Sequence, residues 1–121
     1  MQFKTLVRPE HMNPHGYLFG GYMLLWVDEY TYIAAQEEYP SARFVTRAME
    51  ASSFTQRVNN GDILTFNVNC IKIGTTSVTY SVEVTAIDMP TGSRRNVFQT
   101  TVTMCCTDQE GNKVPLPPKG S

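Results

Sequence analysis

The chain has 121 residues, of which 41% are hydrophobic and 17% are charged. This length suits one domain with one core, and the apolar fraction excludes an intrinsically disordered protein. Ten basic residues stand against eleven acidic ones, which leaves a net charge of -1. A general nucleic-acid binder is excluded, because it needs a basic stripe that displaces counterions.

The three cysteines predict a reduced protein of the cytoplasm. Their odd number, without a C-x-x-C spacing, disfavours a disulfide framework and a zinc site. No basic segment precedes an apolar run at the N-terminus, so no signal peptide is predicted. The longest apolar stretch, residues 17–35, carries two acidic residues at its centre, which disfavours a membrane span.

The first forty residues predict a short strand, a loop and one long helix. Residues 2–8 alternate apolar and polar side chains, and residues 9–16 have the proline- and glycine-containing composition of a loop. The segment from Tyr22 to Glu38 has few helix breakers, and Pro40 ends it. Its residues are apolar most of the way round, which predicts a helix buried on several sides.

After this helix the hydrophobic period changes to two. Strict alternation over residues 64–70, 78–86 and 98–106 predicts strands with one polar face. Residues 43–57 are rich in β-formers but alternate less cleanly, and we predict a fourth long strand there. Residues 108–121 contain several prolines and predict a mobile C-terminal tail.

Turn residues separate these strands. We expect tight turns at residues 59–62 and around Gly74, and a longer hairpin loop at residues 88–96. A single helix that is apolar nearly all round needs a sheet curled about it. The sequence therefore predicts one α+β domain, residues 1–121, with a long central helix wrapped by a curved antiparallel sheet.

An acidic pair, Asp28 and Glu29, lies in the middle of the most apolar helix. Adjacent helical residues point about 100° apart, so one carboxylate can face water while the other faces the interior or an interface. One interpretation places both on a thin solvent stripe. The other is a partly buried carboxylate that has lost water contacts and works as a general base.

A loop with Asn13 and His15, followed by Gly20 and Gly21, directly precedes the predicted helix. Glycines let a substrate approach the backbone, and a helix N-terminus offers free N–H groups that stabilise an oxyanion. The alternative is a plain glycine-containing helix start. Asp28 lies about 10 Å further along the helix axis than Gly21, so it cannot serve the oxyanion site closely unless the substrate runs along the helix.

Residues 13–21 (NPHGYLFGG), followed by Asp28, resemble the N-x-x-G-x-[ILV]-[FH]-G-G-x6-D signature of hotdog-fold acyl-CoA thioesterases. The subgroup with the greatest resemblance is the YciA/cytosolic acyl-CoA hydrolase type. Three further blocks match in order: residues 45–62, residues 72–78 (KIGTTSV) and residues 107–113. The resemblance covers nearly the whole chain.

This resemblance implies a hotdog fold and an enzyme that hydrolyses acyl-CoA to a free acid and CoA. It implies homodimers whose sheets join edge to edge, often assembled into tetramers or hexamers, with active sites at the subunit interface. Water is the second substrate. No metal or separate cofactor is expected, because coenzyme A enters only as part of the substrate.

The resemblance also implies roles for individual residues. Asp28 matches the family's catalytic carboxylate, which acts as general base on water or as nucleophile at the thioester carbon. Asn13 matches the loop residue that positions water or substrate from the facing subunit. The backbone of Gly20 and Gly21 matches the group that polarises the thioester carbonyl. An interface site removes the distance objection, because these groups need not come from one chain.

Other residues are candidates for contacts with the substrate and CoA. They are His15, Arg57, Gly74, Thr75, Thr76 and Ser77. Candidate partners for the CoA phosphates are Arg57, Lys72, Arg94 and Arg95, each of which is alternatively a solvated surface charge. Related enzymes often carry proline where Arg57 stands, a departure that bears on chain-length preference and on the grip on CoA.

Three alternatives concern the function of the loop and the site. His11 and His15 lie four residues apart, but a proline-flanked loop without a further ligand disfavours a metal site. Another hotdog enzyme, such as a dehydratase, would need a catalytic histidine that His15 does not clearly supply. A non-catalytic acyl-CoA or acyl-carrier binding module that senses metabolites is the third alternative.

Overall fold

The computed structural model describes all 121 residues. Its elements are β1 (Gln2–Leu6), a 3-10 turn (Pro9–His11), α1 (Gly20–Glu38), β2 (Phe44–Met49), β3 (Ile63–Ile73), β4 (Ser77–Ile87) and β5 (Arg94–Cys106). The strands form one antiparallel sheet in the order β1-β3-β4-β5-β2. The predicted α+β architecture, one helix against an antiparallel sheet, is confirmed.

The central strand β4 shows why the sheet holds the helix. Its alternate residues are almost fully buried, and they are Val78, Tyr80, Val82, Val84 and Ala86. The residues between them are largely polar and more exposed, so one face of the sheet packs into the core and the other faces out. The predicted period-two alternation is thereby confirmed for residues 78–86, whereas Cys70 of β3 is exposed and both Cys105 and Cys106 of β5 are buried.

The helix α1 begins at Gly20, two residues earlier than predicted, so the two glycines form its first turn. The predicted burial on several sides is wrong for a single chain, because the sheet covers only one side. The buried helix residues are Met23, Trp26, Val27, Thr31, Ala34 and Ala35. Leu24 and Leu25 remain 45% and 54% exposed. This helix is not long and apolar enough to cross a membrane.

The predicted long strand at residues 43–57 is also wrong, because β2 ends at Met49. The pairing of β2 with β5 shifts register between Thr46 and Ala48, as at a β-bulge, which bends the strand. The residues that follow include an Ala-Ser-Ser run with weak strand propensity. Beyond Met49 the regular ladder stops, but the chain still runs beside β5, with the N–H of Thr55 donating to the Val97 carbonyl, and Phe54 reaches the start of α1.

The C-terminal segment, expected to be a mobile tail, is attached to the C-terminal end of α1. The N–H of Gly120 donates to the carbonyl of Glu38 at 2.7 Å, and Lys119 lies 3.2 Å from the carboxylate of Glu38. Tyr80 donates its hydroxyl to the same carboxylate. Burial and this contact raise the pKa of Tyr80, so the hydroxyl stays protonated as a donor. A freely moving tail would lack these contacts.

The two ends of α1 therefore have different surroundings. The tight turn at Gly74, where the Gly74 N–H donates to the Ser77 carbonyl, lies with the tail near the C-terminal end. The loop with Asn13 lies at the N-terminal end. The 19 residues of α1 separate these ends by roughly 28 Å.

Candidate active site

Asp28 and Glu29 have different environments. Glu29 is exposed, whereas Asp28 is half-buried and faces β2. The hydroxyl of Thr46 donates to Asp28 Oδ1 at 2.5 Å, and Thr46 Oγ1 also lies 3.5 Å from Met104 Sδ. The interpretation that both carboxylates lie together on a solvent-exposed stripe of the helix is therefore wrong. One oxygen of Asp28 is held against the sheet, and the other has no hydrogen-bond partner within the chain.

The surface around Asp28 is apolar and open. Leu24 and Leu25 lie one turn before it and Tyr32 one turn after it. Their exposed fractions are 45%, 54% and 43%. Contiguous apolar surface of this kind is typical of a face that another molecule covers.

A groove of about 420 Å³ opens at the N-terminal end of α1. Its lining residues are Asn13, Tyr17, Leu18, Gly20, Phe54, Thr55, Gln56, Arg57 and Val58. The lining contains no acidic side chain, and Arg57 is its only formally charged residue. The groove is therefore suited to a polar or anionic group.

Asn13 holds the loop and keeps one donor free. Its Oδ1 accepts the N–H of His15 at 2.8 Å and the N–H of Tyr17 at 3.3 Å. This pattern closes the turn that joins β1 to α1. The side-chain amide NH2 has no partner within the chain, so it can donate to a bound water or substrate.

Gly20 and Gly21 are not required by the fold. Neither has a positive φ, and an added Cβ would lie at ordinary contact distances, 3.7 Å from Phe54 and 3.6 Å from Phe19. The helix has no side-chain cap and no acid in its first turn. Both backbone N–H groups lack a partner within the chain. Bare glycine backbone at this end favours close approach by an acceptor oxygen.

The structure brings together only some of the predicted site residues. Asn13, Gly20 and Arg57 line the groove. Asp28 does not, because it lies about 10 Å along the axis from Gly21. Within one chain, therefore, the carboxylate and the helix N-terminus do not meet.

Other predicted residues lie outside the groove. His15 is exposed and stacks on Tyr17, with ring centroids 6.0 Å apart. The hairpin of Gly74, Thr75, Thr76 and Ser77 lies at the other end of α1. There the carbonyl of Thr75 accepts the Leu116 N–H and that of Thr76 accepts the Cys106 N–H.

The sequence made Arg95 a candidate partner for the CoA phosphates, but in the structure its guanidinium is already paired. Its guanidinium lies 2.7 Å from Asp62, and the two side chains are only 17% and 2% exposed. It also donates to the carbonyl of Arg57 at 3.0 Å. Arg95 therefore has a structural role, because its guanidinium donors already bind a buried carboxylate and a loop carbonyl.

Sequence reasoning missed Thr46 and Phe54, and it left the place of His11 open. No pattern marks Thr46, since any residue of β2 could have faced Asp28. His11 is buried, accepts the N–H of Arg8 through Nδ1 at 3.0 Å, and packs edge-on against Trp26. His11 is therefore a core residue. The aromatic residues at the start of the following helix were the sequence signal that could have indicated its burial.

A family model described as the thioesterase superfamily matches residues 15–93, which is more than half of the chain. The chain belongs to the thioesterase superfamily. The acyl-CoA thioester hydrolase YciA of Salmonella typhimurium is 31% identical over 120 residues, which cover 97% of this chain and 90% of that protein. The predicted resemblance to this family is confirmed.

Solved structures show the same fold. A hexameric broad specificity acyl-coenzyme A thioesterase has a TM-score of 0.87 at 29% identity, covering 98% of this chain and 81% of its own. A hexameric hotdog fold thioesterase of Campylobacter jejuni has a TM-score of 0.83 at 35% identity, covering 95% and 88%. The predicted hotdog fold is confirmed, and so is the prediction of an enzyme of the thioesterase class.

Proposed function

We propose that this protein hydrolyses acyl-CoA thioesters to a carboxylic acid and free CoA. The observation that carries the proposal is the carboxylate of Asp28, held by Thr46 on an otherwise apolar face of the helix. YciA of Salmonella typhimurium, which is similar over nearly the whole chain, is an acyl-CoA thioester hydrolase. The position of Asp28 and the similarity to YciA both support thioester hydrolysis.

In the proposed reaction Asp28 acts as general base. It takes a proton from water, and the water oxygen attacks the thioester carbon. The negative charge that develops on the carbonyl oxygen is stabilised by the backbone N–H groups of Gly20 and Gly21, a contribution of roughly 3 kcal/mol for each such donor. Asn13 positions the water or the substrate with its free amide. The carbon–sulfur bond then breaks, and CoA leaves as a thiolate that takes up a proton. No metal enters this scheme.

We place this site between two copies of the chain. Within one chain Asp28 and the glycine backbone do not converge, whereas a facing subunit can bring its own Asn13 and Gly21 to Asp28. The apolar surface around Asp28 supports this arrangement, and β2 beside it is an edge strand with unpaired backbone groups. A homodimer joined along β2 covers both the apolar surface around Asp28 and the unpaired edge of β2. Because similar thioesterases are hexameric, we propose a trimer of such dimers.

The contacts with the rest of CoA follow from the same assembly. Lys72 and the hairpin of residues 74–77 lie too far from the groove to serve it within one chain. We propose that they and His15 contact the CoA of a site completed by another subunit. All three cysteines are free thiols, which suits the reducing cytoplasm as the place where the enzyme works.

A hydrolysis screen tests the proposed function. Short, medium, long and aromatic acyl-CoAs are incubated with the protein, and free acid and CoA are measured by mass spectrometry. Thiol reagents are avoided, because exposed Cys70 would react with them. We expect turnover of at least one class. Hydration of an enoyl-CoA without hydrolysis would indicate a dehydratase, and tight binding without turnover would indicate a binding module.

Asn13→Asp tests the role of the free amide and also adds a negative charge to the groove. The variant keeps an acceptor oxygen for the loop N–H groups but loses the NH2 donor, so the fold is expected to persist. We expect kcat to fall by about 10- to 100-fold, the loss of one hydrogen bond of roughly 1.5–3 kcal/mol to a reacting group. Asn60→Asp, at an exposed turn, is the matched control. A folded Asn13→Asp enzyme with unchanged kcat would remove Asn13 from the site.

A further inference from the structure

Arg57 is a cation without a carboxylate partner on the wall of the groove. Its guanidinium carbon lies 4.6 Å above the ring of Tyr17, and it is absent from the ion pairs of the chain. Asp62, the carboxylate next to this part of the backbone, is already occupied by Arg95 and by the N–H of Asn59. The positive charge of Arg57 is therefore free to meet an anion from outside.

The backbone of Arg57 is held by its neighbours, whereas its side chain is exposed. The guanidinium of Arg95 donates to the Arg57 carbonyl at 3.0 Å, and Arg95 is itself anchored on buried Asp62. The next residue, Val58, is 1% exposed, and its carbonyl accepts the N–H of Leu18 at 2.8 Å. Stacking on an aromatic ring further limits the side chain. This stacking reduces the entropy that the side chain loses when it binds an anion.

The size of the groove limits which anion this can be. Arg57 and Gly20 line the same groove of about 420 Å³, at the small end of the roughly 300–1,000 Å³ range of ligand pockets. The phosphates of CoA are separated from the thioester by the pantetheine arm, which spans roughly 15 Å when extended at ordinary bond lengths. With its carbonyl at Gly20 and the pantetheine arm extended, a thioester holds its diphosphate roughly 15 Å away. The anion that then meets Arg57 beside Gly20 is one carried by the acyl group.

We propose that Arg57 binds a carboxylate at the end of a short acyl group. The preferred substrates are then CoA thioesters of short dicarboxylic acids, such as succinyl-CoA and glutaryl-CoA. The planar fork of arginine matches a carboxylate in a bidentate pair. This inference rests on the proposed hydrolysis of acyl-CoA and adds a substrate class to it.

The test compares two acyl groups of the same shape. In 4-methylpentanoyl-CoA an isopropyl group replaces the carboxylate of succinyl-CoA. We expect the wild type to favour succinyl-CoA in kcat/KM, and Arg57→Gln to lower kcat/KM for succinyl-CoA by about 10-fold or more, as for loss of a charged hydrogen bond. The value for 4-methylpentanoyl-CoA should change little. Arg57→Lys should recover part of the preference, and Arg43→Gln is the control for an exposed arginine outside the groove lining.

Thioesters of pantetheine, which lack the nucleotide and its phosphates, separate the two sources of an anion. If Arg57 binds the acyl carboxylate, Arg57→Gln lowers kcat/KM equally for succinyl-CoA and succinyl-pantetheine. A loss for both CoA thioesters with none for either pantetheine thioester would assign Arg57 to the CoA phosphates and overturn the inference. So would an unchanged ratio of the two acyl groups in Arg57→Gln. Absence of any hydrolysis by the wild type would instead overturn the proposed function itself.

Discussion

Asp28→Asn is expected to lower kcat for acyl-CoA hydrolysis by about 100- to 10,000-fold, the usual contribution of a positioned general base. Asparagine has nearly the same shape and can still accept the hydroxyl of Thr46, so the packing of α1 on β2 should persist. The amide cannot take a proton from water at neutral pH. The measurement is single-substrate kinetics by mass spectrometry, with circular dichroism and gel filtration for fold and assembly.

Glu29→Gln is the matched control for this substitution. It removes the same charge from the adjacent helical position, but Glu29 is exposed and has no partner in the chain. We expect its kcat to stay within about twofold of the wild type, as for surface substitutions generally. Equal losses in both variants would mean that net charge on the helix matters rather than a catalytic carboxylate. Full activity in a folded Asp28→Asn enzyme would refute the proposed base.

The second large effect is on stability. Arg95→Met is expected to lower the free energy of unfolding by about 3–5 kcal/mol, the usual result of removing one partner of a buried ion pair. The loss is large because the carboxylate of Asp62, whose side chain is only 2% exposed, would be left without its guanidinium partner. Methionine fills similar space, so little of the loss should come from a cavity. Urea denaturation followed by tryptophan fluorescence measures it.

Two companion variants show whether the ion pair is responsible. Arg94→Met changes the adjacent exposed arginine and should alter stability by less than about 0.5 kcal/mol. Arg95→Met combined with Asp62→Asn removes the unpaired charge and should recover part of the lost stability. An Arg95→Met protein as stable as the wild type would show that Asp62 finds other partners. It would also show that the hydrogen bond from Arg95 to the Arg57 carbonyl is dispensable for stability.

Much of the fold could be predicted because its strongest patterns are local. In β4 every second residue is buried, so the period of two appears in the sequence as it does in the sheet. The long run of helix formers before Pro40 likewise marks α1. The start at Gly20 was missed because propensity disfavours glycine, whereas the first turn of a helix tolerates it.

The remaining features depend on contacts between distant parts of the chain. Strand β2 ends at Met49 after a register shift against β5, and no local pattern indicates either feature. The orientation of Asp28 depends on Thr46, eighteen residues away along the chain. Similarly, Arg94 and Arg95 look alike in sequence, but only Arg95 meets a buried carboxylate. By contrast, the motif with Asn13 and the two glycines could be recognised from the sequence alone, because its residues lie in one short segment.

The distance along α1 between the glycine backbone and Asp28 has a genetic consequence. If each site combines the loop of one subunit with the carboxylate of another, a cell that carries two different inactive alleles can still make enzyme. Subunits altered only at Asn13 and subunits altered only at Asp28 would form mixed dimers with one intact and one doubly altered site. Random pairing of equal amounts leaves about a quarter of the sites intact. Two loss-of-function alleles would complement each other within a single gene.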